Sequence, residues 1–303
     1  MRTAKPGLPC ELCENPAQYF TSRLSWDYYK CTRCRLVFLS PIPTFEKLQD
    51  LYTGQGEVES GESKKLARLI LEIESLVSES TKEFKILDIG SQNGTFLSNL
   101  QSINRFELFG VEPSKEGFLK SSQNSKLNIK NGFFMRHDYR PNSFDFVNLG
   151  DVIEHLEKPI EMVANVKEIL TEQGHFIIST PITDCPYVKT SDFCHKILGN
   201  LFPAAYLTPP FHIRYFTSSG LDDLLLDQGF VKRKSWYSPS DFLYELAQSE
   251  ILLGFRLKSR AEKFNPVFLF KLSLFSGAYL FSKFVTFFTK KDFSYTAIYQ
   301  LKE

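Results

Sequence analysis

The stretch KILDIGSQNGTFLSNL, residues 85–100, decides how this chain is read. An apolar run stops at Asp88, the chain passes through Gly90, Ser91, Gln92, Asn93 and Gly94, and apolar residues then resume at helical spacing. A short buried run that gives way through glycine to a period of three to four is a strand handed by a turn to a helix. The pattern continues onward from it. Strands read at FKILDI, FELFGVE, LNIKNG, FDFVNLG, GHFIIST and FVKRKSWY, and a final one at SYTAIYQLKE. Helices read at GTFLSNLQS, PSKEGFLKSSQ, PIEMVANVKEIL and TSSGLDDLLLDQG, the last capped by Thr217 or Ser218 and stopped at Gly229. Such alternation builds an α/β domain, a parallel sheet covered on both faces.

In sheets of this kind ligands sit beyond the carboxyl ends of the strands, where the strand order reverses. The glycine turn is therefore the expected binding turn. It lacks the Gly-Lys-Ser/Thr ending of a phosphate-cradling loop, which argues against a nucleoside triphosphate. It also lacks the third glycine of G-x-G-x-x-G, which weakens a nicotinamide or flavin reading. It does have Asp88 before Gly90, and a second acid, Glu112, closes the next strand. An acid at the second position accepts hydrogen bonds from ribose hydroxyls. An acid at Asp88 repels a pyrophosphate but suits a ligand with an amino group and a sulfonium. The ligand indicated is S-adenosylmethionine.

Taken in order, ILDIGSQNG, LFGVEPS, SFDFVNLGDVIEHLEKP, ILTEQGHFIISTP and FHIRYFTSSGLDDLLLDQGF resemble class I S-adenosylmethionine-dependent methyltransferases, in particular the group related to ubiquinone-biosynthesis O-methyltransferases. The resemblance implies a Rossmann-like, doubly wound sheet of seven strands, mostly parallel with the last strand antiparallel. It implies Asp88 and Gly90 near the methionine moiety, with Ser91 and Gly94 in the same turn, and Glu112 on the ribose. Gly132 and Phe133, in NGFF, would lie by the adenine, and Gly150 and Asp151, in LGDVIEHL, would border donor and acceptor. The chain departs from the family at Gln92, where a glycine is usual; that side chain either crowds the methionine tail or points to solvent.

Four of the cysteines form two pairs, CELC (Cys10, Cys13) and CTRC (Cys31, Cys34), with 17 residues between the pairs. Two residues between thiolates make a tight turn that aims both sulfurs at one ion, and two such knuckles complete a tetrahedron. Zinc is the expected metal. Four sulfurs leave no open coordination position, so its expected role is structural. AQYFTSRLSWDYYK reads as a hairpin joining the knuckles, and Cys185 and Cys194 read as packed thiols. RLVFLSPIPTFEKLQDLYTGQGE reads as a strand, a proline-rich turn and a short helix, and KKLARLILEIESLVSES as a longer one. Knuckles followed by LVFLSPIPTFEKLQDLY resemble the zinc-ribbon-like module of methyltransferases encoded among bacterial surface-polysaccharide genes. The acceptor this implies is a sugar or other small molecule, free or carried on a lipid or nucleotide. The expected division is a zinc module over 1–55, a connecting helix over 56–81, the cofactor-binding domain over 82–239, a helical insertion over 240–291 and the last strand over 292–303.

Methyl transfer from a sulfonium is an in-line displacement, so the protein supplies alignment and, for a hydroxyl acceptor, a base. His155, after the fourth strand, and His212, ahead of the helix that follows the fifth, are the candidates; an imidazole titrates near neutrality. Each is also readable as an architectural residue. A formal net charge of +1 gives no footprint for nucleic acid. Residues 1–10 carry no apolar signal region, which gives the expectation of a reducing cytoplasm. Two other functions stay open at this stage: a non-catalytic S-adenosylmethionine-binding subunit of a polysaccharide assembly complex, and methylation of RNA or protein. The sequence leaves the oligomeric state open.

The phenylalanines gather late, in an insertion before the last strand. Residues 267–288 are long enough for a membrane span, but Lys271 and Lys283 lie inside. On a helical wheel Leu274, Leu280, Phe281, Phe284, Val285 and Phe288 share one half, while Ser276, Ser282, Lys283 and Thr286 share the other. One reading lays the apolar half on the inner membrane surface, with Arg256, Lys258, Arg260, Lys263, Lys290 and Lys291 facing anionic lipid. The other, which the amphipathic pattern alone favours, makes the helix a cap packed on the substrate side or against another subunit, with Phe281 and Phe284 as core residues.

Overall fold

The computed structural model of the chain describes residues 6–44, 46–48, 63–199, 204, 206–239 and 266–302, with side chains in the last helix described from residue 273 except at 275. Most of the short helix expected after residue 43 lies outside the described residues. So do Arg256, Lys258, Arg260, Lys263 and the side chain of Lys271. In chain order the elements begin β1 (Leu8–Pro9), β2 (Pro16–Arg23), β3 (Trp26–Cys31), β4 (Val37–Leu39), α1 (Ser63–Val77), β5 (Phe84–Ile89), α2 (Thr95–Leu100), β6 (Phe106–Glu112), α3 (Lys115–Ser121), β7 (Leu127–Asn131) and β8 (Phe144–Gly150). Then follow α4 (Pro159–Ile169), β9 (Leu170–Pro181), α5 (Pro186–Leu198), β10 (Arg214–Tyr215), α6 (Ser218–Asp227), β11 (Phe230–Ser238), α7 (Pro266–Thr289) and β12 (Ser294–Leu301).

Two compact units result. One takes Pro43–Thr180, Asp222–Trp236 and Thr296–Glu303. It holds a seven-stranded sheet in the order β11-β12-β9-β8-β5-β6-β7, mostly parallel with the last strand antiparallel. β5 pairs in parallel with β6 on one side and with β8 on the other. The strand order therefore reverses at β5, and the glycine turn stands at the switch point, as the sequence implied. The central strands are buried on both faces, which is why they read as continuous apolar runs rather than as alternation. Leu69, Ile73 and Val77 of α1 and Leu97 and Leu100 of α2 pack with Ile86, Leu108, Phe146 and Ile177 of the sheet in one core. The cap of α6 is Thr217, whose hydroxyl accepts from the Gly220 N–H at 3.0 Å.

The other unit takes Met1–Ile42, Pro181–Leu221 and Tyr237–Tyr295. Its five-stranded sheet runs β1-β2-β3-β4-β10. The β2–β3 hairpin between the cysteine pairs forms as expected. The sequence division at residue 55 does not follow the units. β10 closes the sheet by pairing Arg214 with Phe38 and Tyr215 with Val37. Arg214, fully buried, binds Glu11, which sits between the first two cysteines, at 2.6 Å through Nε. A strand of two residues is too short to show a period, so its partnership with the cysteine sheet is invisible in the sequence.

The expectation that Phe281 and Phe284 are core residues within the chain is also corrected. α7 forms over the expected residues and does have two faces, but the polar one turns inward. Ser282 is fully buried, whereas Phe281 and Phe284 are 59% and 64% exposed. Lys283 reaches both carboxylate oxygens of the buried Asp292, at 3.1 and 3.0 Å. With its hydroxyl and ammonium satisfied inside, the helix can be held by its polar side.

Candidate functional site

Four strand ends of the larger sheet bring together the residues that the resemblance singled out. At the end of β5 the chain turns sharply. Gly90 has φ +81°, and a Cβ there would stand 2.7 Å from Val152 Cγ2, so neither the turn nor the close approach admits a side chain. Gly94, at φ +76°, is likewise pressed against Leu127. Gln92 also lies in the left-handed region, at φ +46°, which explains the family preference for glycine at this place. Its side chain is exposed. The Gln92 backbone N–H donates to Glu112 Oε2 at 2.7 Å.

Glu112 is buried at the end of β6, and its other oxygen accepts from the Ser114 N–H at 2.7 Å. Burial pushes this carboxyl above the usual range, and the hydrogen bonds from Ser114 and Gln92 pull it back. The Ser114 hydroxyl is a third donor to the same carboxylate. The carboxylate thus ties the glycine turn to the start of α3, where Ser114 caps the helix by accepting from the Gly117 N–H at 2.9 Å.

Asp88, buried, accepts from Asn148 Nδ2 of β8 at 2.7 Å. The amide's own oxygen is buried with no hydrogen-bond partner among the described residues, and so is Ser91 Oγ in the turn. Gly110 of β6 leaves the room for that serine, since a Cβ there would come within 2.9 Å of its Oγ. Beyond β7, Gly132 at φ +139° has open space around it, and its N–H donates to the Glu112 carbonyl at 2.9 Å. Phe134 stacks on Tyr139 with ring centroids 5.4 Å apart.

After β8, Gly150 leads into Asp151, which at φ +52° is in the left-handed region. The Asp151 N–H donates to the Ser179 carbonyl at 2.8 Å, and its carboxylate pairs with Lys65 of α1. Glu154, three residues on, is 1% exposed and accepts from the Thr180 hydroxyl at 3.0 Å. Burial first, and the charge of Asp151 second, push its pKa up to about 8. Its second oxygen has no partner among the described residues. His155 is half-buried in the 3-10 turn Ile153–His155 that contains Glu154. His212 belongs to the other unit, edge-on to Tyr215 with ring centroids 5.6 Å apart. Sequence reasoning missed Asn148, Lys65 and Thr180, because the two side chains from neighbouring strands and the one from α1 become partners only once the sheet is assembled.

In the other unit the four cysteines converge. Sγ atoms of Cys10 and Cys34, of Cys13 and Cys31, and of Cys13 and Cys34 are each 3.6 Å apart. All four lie within 4.8 Å of one another. A tetrahedron with metal–sulfur bonds of about 2.3 Å has edges of about 3.8 Å, so the spacing suits one thiophilic ion. The two knuckles repeat one local structure. The Cys10 N–H donates to the Asn15 carbonyl at 2.8 Å, and the Cys31 N–H to the Leu36 carbonyl at 2.9 Å. Glu14 and Arg35, each following the second cysteine of its pair, both have positive φ, 58° and 64°. Cys185 is a buried thiol and Cys194 half-buried, neither in the cluster.

The family described as Methyltransferase domain matches residues 58–235. An uncharacterized methyltransferase of Schizosaccharomyces pombe is 26% identical over 132 residues, 39% of this chain and 47% of that protein. The chain thus spans about half the length of that curated relative. Among solved structures, the cyclase SpnF is similar at a TM-score of 0.51 with 12% identity, over 82% of this chain and 85% of its own. A putative sarcosine dimethylglycine methyltransferase from Galdieria sulphuraria aligns at a TM-score of 0.49 with 13% identity, over 78% of this chain and 86% of its own. The likeness to the cyclase concerns the fold.

Proposed function

The chain belongs to the methyltransferase-domain family, and from that premise we propose that it transfers a methyl group from S-adenosylmethionine to a small-molecule acceptor. The observation that carries the reading is the pair of buried carboxylates at adjacent strand ends on either side of the glycine turn. Glu112, fixed by two backbone N–H groups and the Ser114 hydroxyl, keeps acceptor capacity for a ribose hydroxyl. Asp88, fixed by Asn148, offers its charge to a cationic amino group, and the Ser91 hydroxyl and Asn148 oxygen, without partners among the described residues, give polar contacts in the same place. Gly132 and Phe133 border the adenine, and Gly90 and Gly94 let the backbone approach the ligand. The bound cofactor supplies an electrophilic sulfonium methyl. In this reading Gly150 and Asp151 line the reacting end, and His155 is the candidate of that unit to take the acceptor's proton.

The acceptor we propose is a sugar or glycan precursor in surface-polysaccharide synthesis. That choice is supported by the resemblance of the cysteine module and of the segment after it. The four sulfurs hold a structural zinc in this reading, because their spacing leaves an ion no open position. Elemental analysis should find one zinc per chain, and Cys31→Ser should release it and lower the unfolding temperature of its unit.

A fold shared with a protein named as a cyclase does not settle a reaction, so binding and transfer are tested separately. Calorimetry should show Glu112→Ala binding S-adenosylmethionine more than tenfold more weakly, about 1.5–3 kcal/mol. Unchanged affinity in that variant removes the reading. Incubation with a labelled methyl donor and a nucleotide-sugar or lipid-linked sugar extract should then place label in the glycan fraction; binding without label would favour a non-catalytic subunit.

A further inference from the structure

We propose that the outward face of α5 and α7 docks on a lipid membrane that carries anionic headgroups. On α7, Leu280, Phe281, Phe284, Phe287 and Phe288 fall at helical spacings of one, four, seven and eight, and each is between 59% and 69% exposed. Across the packing between the two helices, where Tyr187 meets Tyr279 edge-on with ring centroids 6.1 Å apart, α5 adds Phe193 and Ile197, 63% and 64% exposed. Isolated exposed apolar residues need no explanation, but seven large ones on the outer sides of two packed helices form a patch.

The charges around the patch select its occupant. Lys189 and Lys196 lie on the same exposed side of α5 as Phe193 and Ile197. Lys290, exposed at the end of α7, stands 4.5 Å over the Phe287 ring. Residues 266–291 contain no aspartate or glutamate at all. The one acid of α5, Asp192, is engaged by the Tyr206 hydroxyl at 2.7 Å and by Lys30 at 3.6 Å. A second copy docked through the same face would set these like charges against each other. An anionic headgroup layer instead neutralises them while the phenylalanines enter the acyl boundary. The helix lies on the surface rather than crossing it: among the described residues no helix is long and apolar enough to span a membrane. Its inner side, with Ser282 buried and Lys283 paired to Asp292, is held by protein, so the apolar side is the one free for lipid.

Flotation of the full chain with vesicles tests this. The chain should float with vesicles of phosphatidylcholine and phosphatidylglycerol, less with phosphatidylcholine alone, and less as salt is raised. Phe281→Ser/Phe284→Ser should cut the floated fraction about tenfold with its unfolding temperature unchanged, and Lys189→Ala/Lys196→Ala should weaken only the anionic component. A wild-type chain that stays at the bottom with anionic vesicles overturns the proposal. So does a dimer that the double phenylalanine variant dissociates, which would assign the face to a second copy. A large fall in that variant's unfolding temperature overturns it too, since the two phenylalanines would then be packed within the fold.

Discussion

Both α1 and α7 read as amphipathic helices in the sequence, and the fold uses them in opposite senses. α1 turns Leu69, Ile73 and Val77 into the sheet core and leaves Glu74 and Ser75 in solvent. α7 buries Ser282, half-buries Lys283 and leaves its phenylalanines outside. A period of 3.6 says that a helix has two faces; it does not say which face has a neighbour. For α1 the answer follows from the sheet beside it, whose apolar strands offer only an apolar partner. For α7 it depends on α5 and on the carboxylate of Asp292, partners that a one-dimensional pattern does not display.

The largest effect expected from this contrast is at Ile73, which is fully buried on α1. Ile73→Ala should cost about 2–5 kcal/mol in urea unfolding, as core truncations that leave a cavity do. A loss below about 0.5 kcal/mol would put α1 in the same class as α7 and dissolve the contrast.

What was legible in the sequence follows the same division. Strands buried on both faces, glycine at positive φ and cysteines at knuckle spacing are locally encoded, and each stood where the sequence put it. Asp88 and Glu112 were legible because an acid at a strand end beside a glycine turn is a local pattern. Their partners were not. Asn148 comes from β8, 60 residues from Asp88 in sequence, and Lys65 meets Asp151 across 86 residues. The two-residue β10 and the salt bridge from Arg214 to Glu11 were hidden for the same reason: nothing near either residue announces a partner about 200 positions away.

Buried polar groups sharpen the contrast next, because Glu154 in the sheet unit is only half satisfied whereas Ser282 on α7 is fully paired. The folded-state pKa of Glu154, about 8, lies above the ordinary 4.5, so the folded chain binds a proton that the unfolded chain releases. That contribution to stability is complete below about pH 4.5 and is lost as the pH climbs to about 8. Glu154→Gln copies the protonated form. Between pH 5 and pH 7 the wild type should lose about 2–3 kcal/mol relative to the variant, at about 1.4 kcal/mol per pH unit. Parallel stability curves for the two proteins over that range would mean that Glu154 is ionised in the fold.

The smallest effect, and the one that bears most directly on the contrast, is at Ser282. Its hydroxyl donates to the Tyr279 carbonyl at 2.6 Å, and the residue itself has no solvent exposure. Leucine is the better helix former and the more apolar residue, so on an ordinary amphipathic helix Ser282→Leu would either do nothing or stabilise. If the polar side of α7 is the packed side, the added carbons have no room and should cost about 1–3 kcal/mol through forced rotamers and displaced neighbours. Urea unfolding of the variant beside wild type separates the two, provided that the slope with denaturant is unchanged. A destabilised variant keeps the inverted helix. A neutral or stabilised one would mean that α7 buries its phenylalanines after all, and the exposed face on which the lipid proposal rests would not exist.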